Sequence, residues 1–486
     1  MFSRPSVWLI FAALVAAMSL RAGEQNIWPF AVRQARPDGT LESSQYVGPL
    51  FFTKSNAAGA LQGFRPLYLQ AQAGDKESSS FLYPLFTWEK QPGFSSFSFF
   101  QLINRRRTTE TGQPEVHGFD VWPFYFSKET GDPATTYHAF FPVAGTIRQR
   151  FGKDRLTWYA FPLYLNSDKS GLQVTTAPWP FLRFIDGAGH HGFEFWPLFG
   201  HRGRAGDYDK QFWLWPLFYR QATQLSEPQP TVRLGALPFY TRDTGPGFRS
   251  ENYVWPFFGY THRTEPDRYD EQRFLWPFLV QGRGDQRYVN RWAPLYTHST
   301  IKGYDKTWFV WPLLRHAQWQ DAGITQEKDQ FFFFLYWSLT QRSLTNPAAA
   351  PAHKTHLWPL LSTWDNGAGR RQVQFLSPLE VFFPTNEPVR QLYSPLFALY
   401  RYDRQDATAS RHSLLWNAIT YRRSATDREF HLGPLFSVKS GSESRRISLL
   451  CGVLGWQRRP GEDRGRLFLF DFSRKQATKA TATLSP

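Results

Sequence analysis

The chain holds 486 residues with a formal net charge of +16, one cysteine, 46 Phe, 21 Tyr and 20 Trp. At 18% aromatic it is too rich in large apolar side chains for intrinsic disorder, and the lone Cys451 permits neither an intrachain disulfide framework nor a cysteine-based zinc site. Together with 35 Pro, the aromatic residues favour strands and turns over helix interiors, which argues against a helical enzyme.

Residues 1–22 read as a secretory signal peptide: Arg4, an apolar stretch from Val7 to Leu20, then small residues at Ala22 and Gly23. That stretch is short of the roughly 20 residues a bilayer-spanning helix needs. No later segment runs apolar for long enough to span either, so an exported chain without helical anchors is expected.

From there to the end the chain repeats one phrase: an apolar residue, Trp-Pro, and two more apolar residues, followed by a polar cluster. Full copies carry Trp28-Pro29, Trp122-Pro123, Trp179-Pro180, Trp196-Pro197, Trp215-Pro216, Trp255-Pro256, Trp276-Pro277, Trp311-Pro312 and Trp358-Pro359. Degenerate copies keep the Pro, at Pro49, Pro66, Pro84, Pro142, Pro162, Pro238, Pro294, Pro378, Pro395 and Pro434. Copies without it fall near Gln101, Ser338, Asn417, Gly452 and Leu469. The period is roughly 19 residues and the unit count about 24, which fills 23–474 as a single β-repeat domain. LTNPAAAPAHK at 344–354 reads as the one long irregular segment, and 475–486 as a disordered tail.

Each unit offers one apolar run and one polar turn cluster, such as GRGDQ, DNGAGR or SGSES, so the expectation is one strand per unit. A Pro in every apolar run excludes helix, at roughly 3 kcal/mol each. The predicted fold is all-β: an antiparallel meander of about 24 strands, apolar on both faces near the Pro and polar beyond. A closed up-and-down barrel gives equivalent strands equivalent surroundings and leaves no edge. A six-bladed propeller or another soluble β-repeat is the alternative, with a solenoid third.

An exported meander of this strand count and turn periodicity resembles, at class level and over the whole mature chain, the outer-membrane β-barrel proteins of bacteria with two membranes. Its end, GRLFLFDFSRK and a polar tail, departs from the terminal aromatic residue usual in that class. The resemblance implies an outer-membrane location, with a periplasmic or extracellular one as the alternative. It also implies membrane lipid or lipopolysaccharide as partner, with anionic polysaccharide as a second candidate.

No catalytic or nucleotide-binding motif is present, so no enzyme, cofactor or metal is expected. His190 and His191 in GAGHHG, with His201 and Glu194, read as a solvated turn rather than a metal site, and Asp120, Asp186 and Asp305 as turn residues that hydrogen-bond backbone. Arg105, Arg106 and Arg107, with the pairs Arg422-Arg423 and Arg445-Arg446, are candidate contacts to an anionic partner; capping of aromatic edges by their stems is the competing reading. Export argues against nucleic acid. The recurrent Trp reads as a structural repeat residue or interface anchor, and Cys451 as a buried thiol. The expected function is non-enzymatic: an outer-membrane pore or envelope structural protein, or alternatively a secreted or periplasmic scaffold for a glycan or protein.

Overall fold

The computed structural model describes residues 23–475 apart from 37, 57, 58, 111, 113, 443, 461, 468 and 469. The signal segment 1–22, and the expected tail beyond residue 475, lie outside the described residues. The described chain is all-β, with 61% strand and 3% helix, and every sheet connection is an antiparallel meander.

The strand number differs from the expectation for a specific reason. There are 46 strands, making 23 hairpins. The apolar phrase is not the middle of a strand; it is itself a chain reversal. Around Trp122-Pro123, strand Val116–Val121 ends, Phe124 donates its N–H to the Val121 carbonyl (2.7 Å), and strand Tyr125–Glu129 returns. The Trp122-Pro123 peptide bond is cis, which places Pro at the third position of a tight turn. The same reversal occurs at Trp28-Pro29, Trp179-Pro180, Trp196-Pro197, Trp215-Pro216, Trp255-Pro256, Trp276-Pro277, Trp311-Pro312 and Trp358-Pro359, all cis. The cost of a mid-strand Pro therefore never arises. Pro378 and Pro395 fall in one connection, which brings about 24 units to 23 hairpins.

The polar clusters are reversals too, as expected. Phe151-Gly152, Ser170-Gly171, Lys302-Gly303 and Ala322-Gly323 each have both residues at positive φ, the twist that matches two-residue hairpins. Successive connections alternate between the two ends of the strands. Within each unit the apolar reversals therefore lie along one margin and the polar ones along the other.

Two compact units divide the chain, Met1–Pro84 with Ala350–Pro486, and Leu85–Ala349. Within Leu85–Ala349 each strand from Phe86–Gln91 to Tyr336–Ser343 pairs with its chain neighbours, without the four-strand breaks of a propeller. The register is nearly unshifted, so residues at equal distance from the apolar margin share a face. The first residues run Phe195, Phe199, Trp213, Phe218 across adjacent strands, all aromatic, with the last three exposed. The second residues, Glu194, Gly200, Phe212, Tyr219, Gly235 and Thr241, lie on the opposite face, where Glu194 and Thr241 are buried. On that inner face Phe126, Tyr137, Ala139, Ile147 and Trp158 form a core cluster.

In the other unit the inner face is filled by a segment expected to be strand. Residues 376–399 form the longest irregular stretch, longer than 344–351, and carry helices Glu387–Leu392 and Ser394–Phe397. Asn386 caps the first helix, accepting from the Val389 N–H at 3.0 Å, and fully buried Leu392 packs on Phe52 and Leu69. The copy expected near Ser338 reverses earlier, at 332–335, because Ser338 lies within Tyr336–Ser343.

Hydrogen bonding does not close the meander. Gly23–Ile27 pairs only with Ala31–Ala35, and Phe470–Lys475 only with Glu462–Leu467, so the expected barrel closure is absent among the described residues. The free edge at Gly23–Ile27 is met instead by side chains: the Glu24 N–H donates to Glu429 Oε2 (2.9 Å) and the Asn26 amide to the Asn417 carbonyl (2.8 Å).

Several inner-face glycines are slots for an aromatic ring from the neighbouring strand. Gly235 pairs with Tyr219, whose ring occupies the space a Cβ would take; Gly200 and Phe212 repeat the arrangement. Gly235→Ala is therefore expected to lower stability by about 1–3 kcal/mol, since the ring must leave its slot. Denaturant melts check this, and an unchanged midpoint would show that the slot is not tight.

Candidate functional site

The apolar margin is the largest exposed feature of the sequence repeat. Trp122, Phe124, Trp179, Trp215, Trp255, Trp276 and Trp311 are all exposed, as are the +1 residues Phe239 (74%) and Leu295 (67%). Large apolar side chains cluster here because the phrase that reverses the chain is itself apolar. Isolated exposed Trp or Leu residues would need no explanation; a continuous row does.

At several of its reversals the backbone of this margin is satisfied without water. Trp122 N–H donates to the Leu102 carbonyl (2.7 Å), Phe141 to Phe124 (2.6 Å), Trp179 to Pro162 (2.7 Å) and Trp196 to Phe181 (2.8 Å), each reaching the preceding apolar reversal. In the longer reversal 214–217, Leu214 donates to Leu198 (2.6 Å), Trp215 to Pro197 (2.7 Å) and Leu217 to Leu214 (2.8 Å). The remaining position is Pro, which has no N–H. The hydrogen-bond ladder thus continues through the turns.

On the outer face charge appears from the third residue of some strands, about 7 Å from the first row. Arg105 stands there between Phe97 and Phe119, exposed. Its neighbours are engaged: Arg106 with the buried carboxylate of Asp120 (2.9 Å) and Arg107 with Glu115 (2.9 Å). Asp120 is not a turn residue, as expected from sequence, but a strand residue gripped by Arg106 and, bidentately, by Arg150 (2.7 and 2.9 Å). Asp186 and Asp305 also lie in strands, Leu182–Gly187 and Tyr304–Phe309; Asp305 accepts from Thr300 (2.6 Å) and lies 2.8 Å from His298.

Histidines do not converge. His190 meets the Tyr208 hydroxyl (2.8 Å), His201 meets Asp209 (2.7 Å), and buried Glu194 pairs with Arg183 and Arg202. Among the described residues, His316, Glu327 and Asp329 come close enough to share a metal ion. His316 already pairs with Asp329 (2.7 Å) and Glu327 with Arg342 (2.9 Å), so the group is read as cross-strand ion pairing. Cys451 is exposed, not buried, because it sits in the apolar reversal rather than in a strand.

The unit of Met1–Pro84 and Ala350–Pro486 also carries a half-open cationic cavity of about 260 Å3. Nine Lys and Arg side chains line it against two carboxylates, Glu42 and Asp403. Arg422 and Arg423, flagged from sequence as anion contacts, are among them; Arg445 and Arg446 are not. The residues that sequence reading missed are Lys54, Arg401 and Arg411, brought together on the inner face from strands far apart in the chain, and Arg65, from the reversal after Gly59–Phe64. No local signal marks them.

Lys54 donates to Gln391 Oε1 (3.1 Å), and Arg65 to the carbonyls of Gln391 (2.6 Å) and Pro49 (2.5 Å), with its guanidinium 3.7 Å over the Phe52 ring. Their acceptors are neutral. Burial, then the like charges of Arg401 and Arg65, bring the Lys54 ammonium down to about 7; burial and Arg401 bring Arg65 down to about 9. Asp403 and Glu387 oppose the shift at Lys54 without cancelling it. Burial would raise the Asp403 carboxyl, but Arg401, at 2.8 Å, holds it below its ordinary value.

No protein-family model matches the chain, and no curated protein sequence matches it.

Because the Lys54 pKa is lowered on folding, the unfolded chain binds the extra proton between about pH 7 and pH 10.5. The charged lysine therefore costs stability below pH 10.5, in full at and below about 7. Lys54→Met is expected to melt several degrees higher than the parent at pH 6 in chloride buffer, with the gap closing toward pH 10. Equal melting temperatures at pH 6 would contradict this.

Proposed function

We propose that this chain is a non-enzymatic, exported cell-envelope protein whose apolar margin is seated in the hydrocarbon of one membrane leaflet. The observation that carries the reading is the combination of an exposed apolar row with turn backbone that is hydrogen-bonded from reversal to reversal. Lipid offers no partners for peptide groups, so a segment can enter it only with its own backbone satisfied. The reversal and the first strand row together reach to the depth of about 5–10 Å at which interfacial elements sit. Arg105 and the other outer-face cations above this band are then level with phosphate-bearing head groups.

Strands of about six residues measure roughly 20 Å, short of the 9–11 residues of a membrane-crossing strand. With the ladder open as well, an envelope structural protein at the membrane surface is favoured over a pore. The apolar stretch Val7–Leu20 supports export, and an outer membrane is the proposed location.

Flotation with phospholipid vesicles tests the proposal. The parent protein is expected to float, and Leu163→Ser/Phe239→Ser/Leu295→Ser to lose vesicle binding at least tenfold with little change in melting temperature, since each removes roughly 1.5–3 kcal/mol of burial in lipid. A parent that stays monodisperse and unbound without detergent would favour the soluble scaffold instead.

A further inference from the structure

We infer that the cationic cavity of the unit Met1–Pro84 with Ala350–Pro486 is a binding site for a multivalent phosphate-type anion. This is a separate site from the apolar margin and stands whether or not that margin enters lipid.

Lys54, Arg401, Asp403, Arg411 and Arg422 are at even positions counted from the apolar reversals, and so project to the inner face. An inner face in a stable sheet is ordinarily apolar or charge-balanced, as on the other unit, where buried Glu194 lies between Arg183 and Arg202. Here it is neither. Arg401 is matched by Asp403, Arg411 by Glu24 (2.9 Å) and Arg404 by Asp365 (3.9 Å). Of the cations that line the cavity, Lys54 and Arg422 on the inner face, Arg65 and Arg370 in reversals, and Arg371 and Arg423 at fifth strand positions have no carboxylate partner among the described residues.

A second observation points the same way. Nη1 of Arg422 is buried and has no hydrogen-bond partner among the described residues. A buried guanidinium donor left unmet costs about 1–3 kcal/mol, and a cluster of like charges adds repulsion. One multivalent oxyanion meets both: it supplies acceptors to guanidinium forks and offsets the charge.

Size narrows the ligand. About 260 Å3 is room for roughly eight water molecules and below the range of drug-sized ligand pockets. A diphosphate group fits. The group could be free in solution or carried by a lipid or glycan head group.

Calorimetry on the purified full-length chain with inorganic pyrophosphate at pH 6.5 is the test. Saturable binding is expected, with a rise in melting temperature, and Arg422→Gln/Arg423→Gln is expected to weaken it at least tenfold. Lys54→Gln provides a second, independent variant should the first fold poorly, and Arg105→Gln/Arg107→Gln should bind as the parent does. Competition by vesicles containing phosphatidic acid, but not by phosphatidylcholine alone, would assign the anion to a lipid head group; its absence would assign it to a soluble species. No binding at millimolar pyrophosphate overturns the inference, as does equal loss in the Arg105/Arg107 variant, which would mean surface charge alone.

Discussion

An apolar chain reversal takes peptide groups out of water along with its side chains, and each N–H left over there carries a penalty of several kcal/mol in a hydrocarbon environment. Several of the Pro-containing reversals meet that constraint in the same way. In the reversal 160–163, Ala160 and Phe161 donate to Val143 and Pro142, Leu163 donates to Ala160, and Pro162 has nothing to donate. The reversal 310–313 repeats the pattern one for one, with Val310, Trp311 and Leu313 as donors and Pro312 silent. At these reversals proline removes the one donor that would have no partner, and the preceding reversal supplies the acceptors.

That constraint divides the molecule. Apolar side chains are concentrated at one margin and in the first strand row, glycine-led turns form the other margin, and the strands between are polar. Alternation then divides the two faces. The outer face carries Arg105 and His–carboxylate pairs such as His201–Asp209 and His316–Asp329. The inner face packs aromatic rings against glycines in one unit and gathers the cationic cavity in the other.

Sequence made the repeat, its period, the all-β class and the polar turns legible, because each rests on local chemistry: Gly at positive φ, and Pro excluding helix. It misplaced the Pro. Reading one turn per unit treated an apolar phrase as strand, since turn signals are usually polar; Trp122-Pro123-Phe124 shows a turn built from apolar residues. The doubled strand count and the inverted place of the hydrophobic band both come from that step. Helix Glu387–Leu392 was hidden behind a degenerate copy, LYSPLFA, whose Pro395 instead opens a short helix. Of the site, Arg422 and Arg423 were visible as a pair, whereas Lys54, Arg65 and Arg401 are joined only by the long-range arrangement of the sheet. Asp120 looked like a turn residue because the strand between its flanking turns is six residues long.

On the proposed function the sheet has one wet and one lipid-seeking margin. Environment-sensitive fluorophores on single cysteines in a Cys451→Ser background test it directly, with Phe124→Cys and Leu217→Cys at apolar reversals and Asp75→Cys and Gln286→Cys at polar ones. With phospholipid vesicles present, the first pair should shift to the blue and become shielded from an aqueous quencher while the second pair stays accessible. Equal accessibility at both margins would contradict the account.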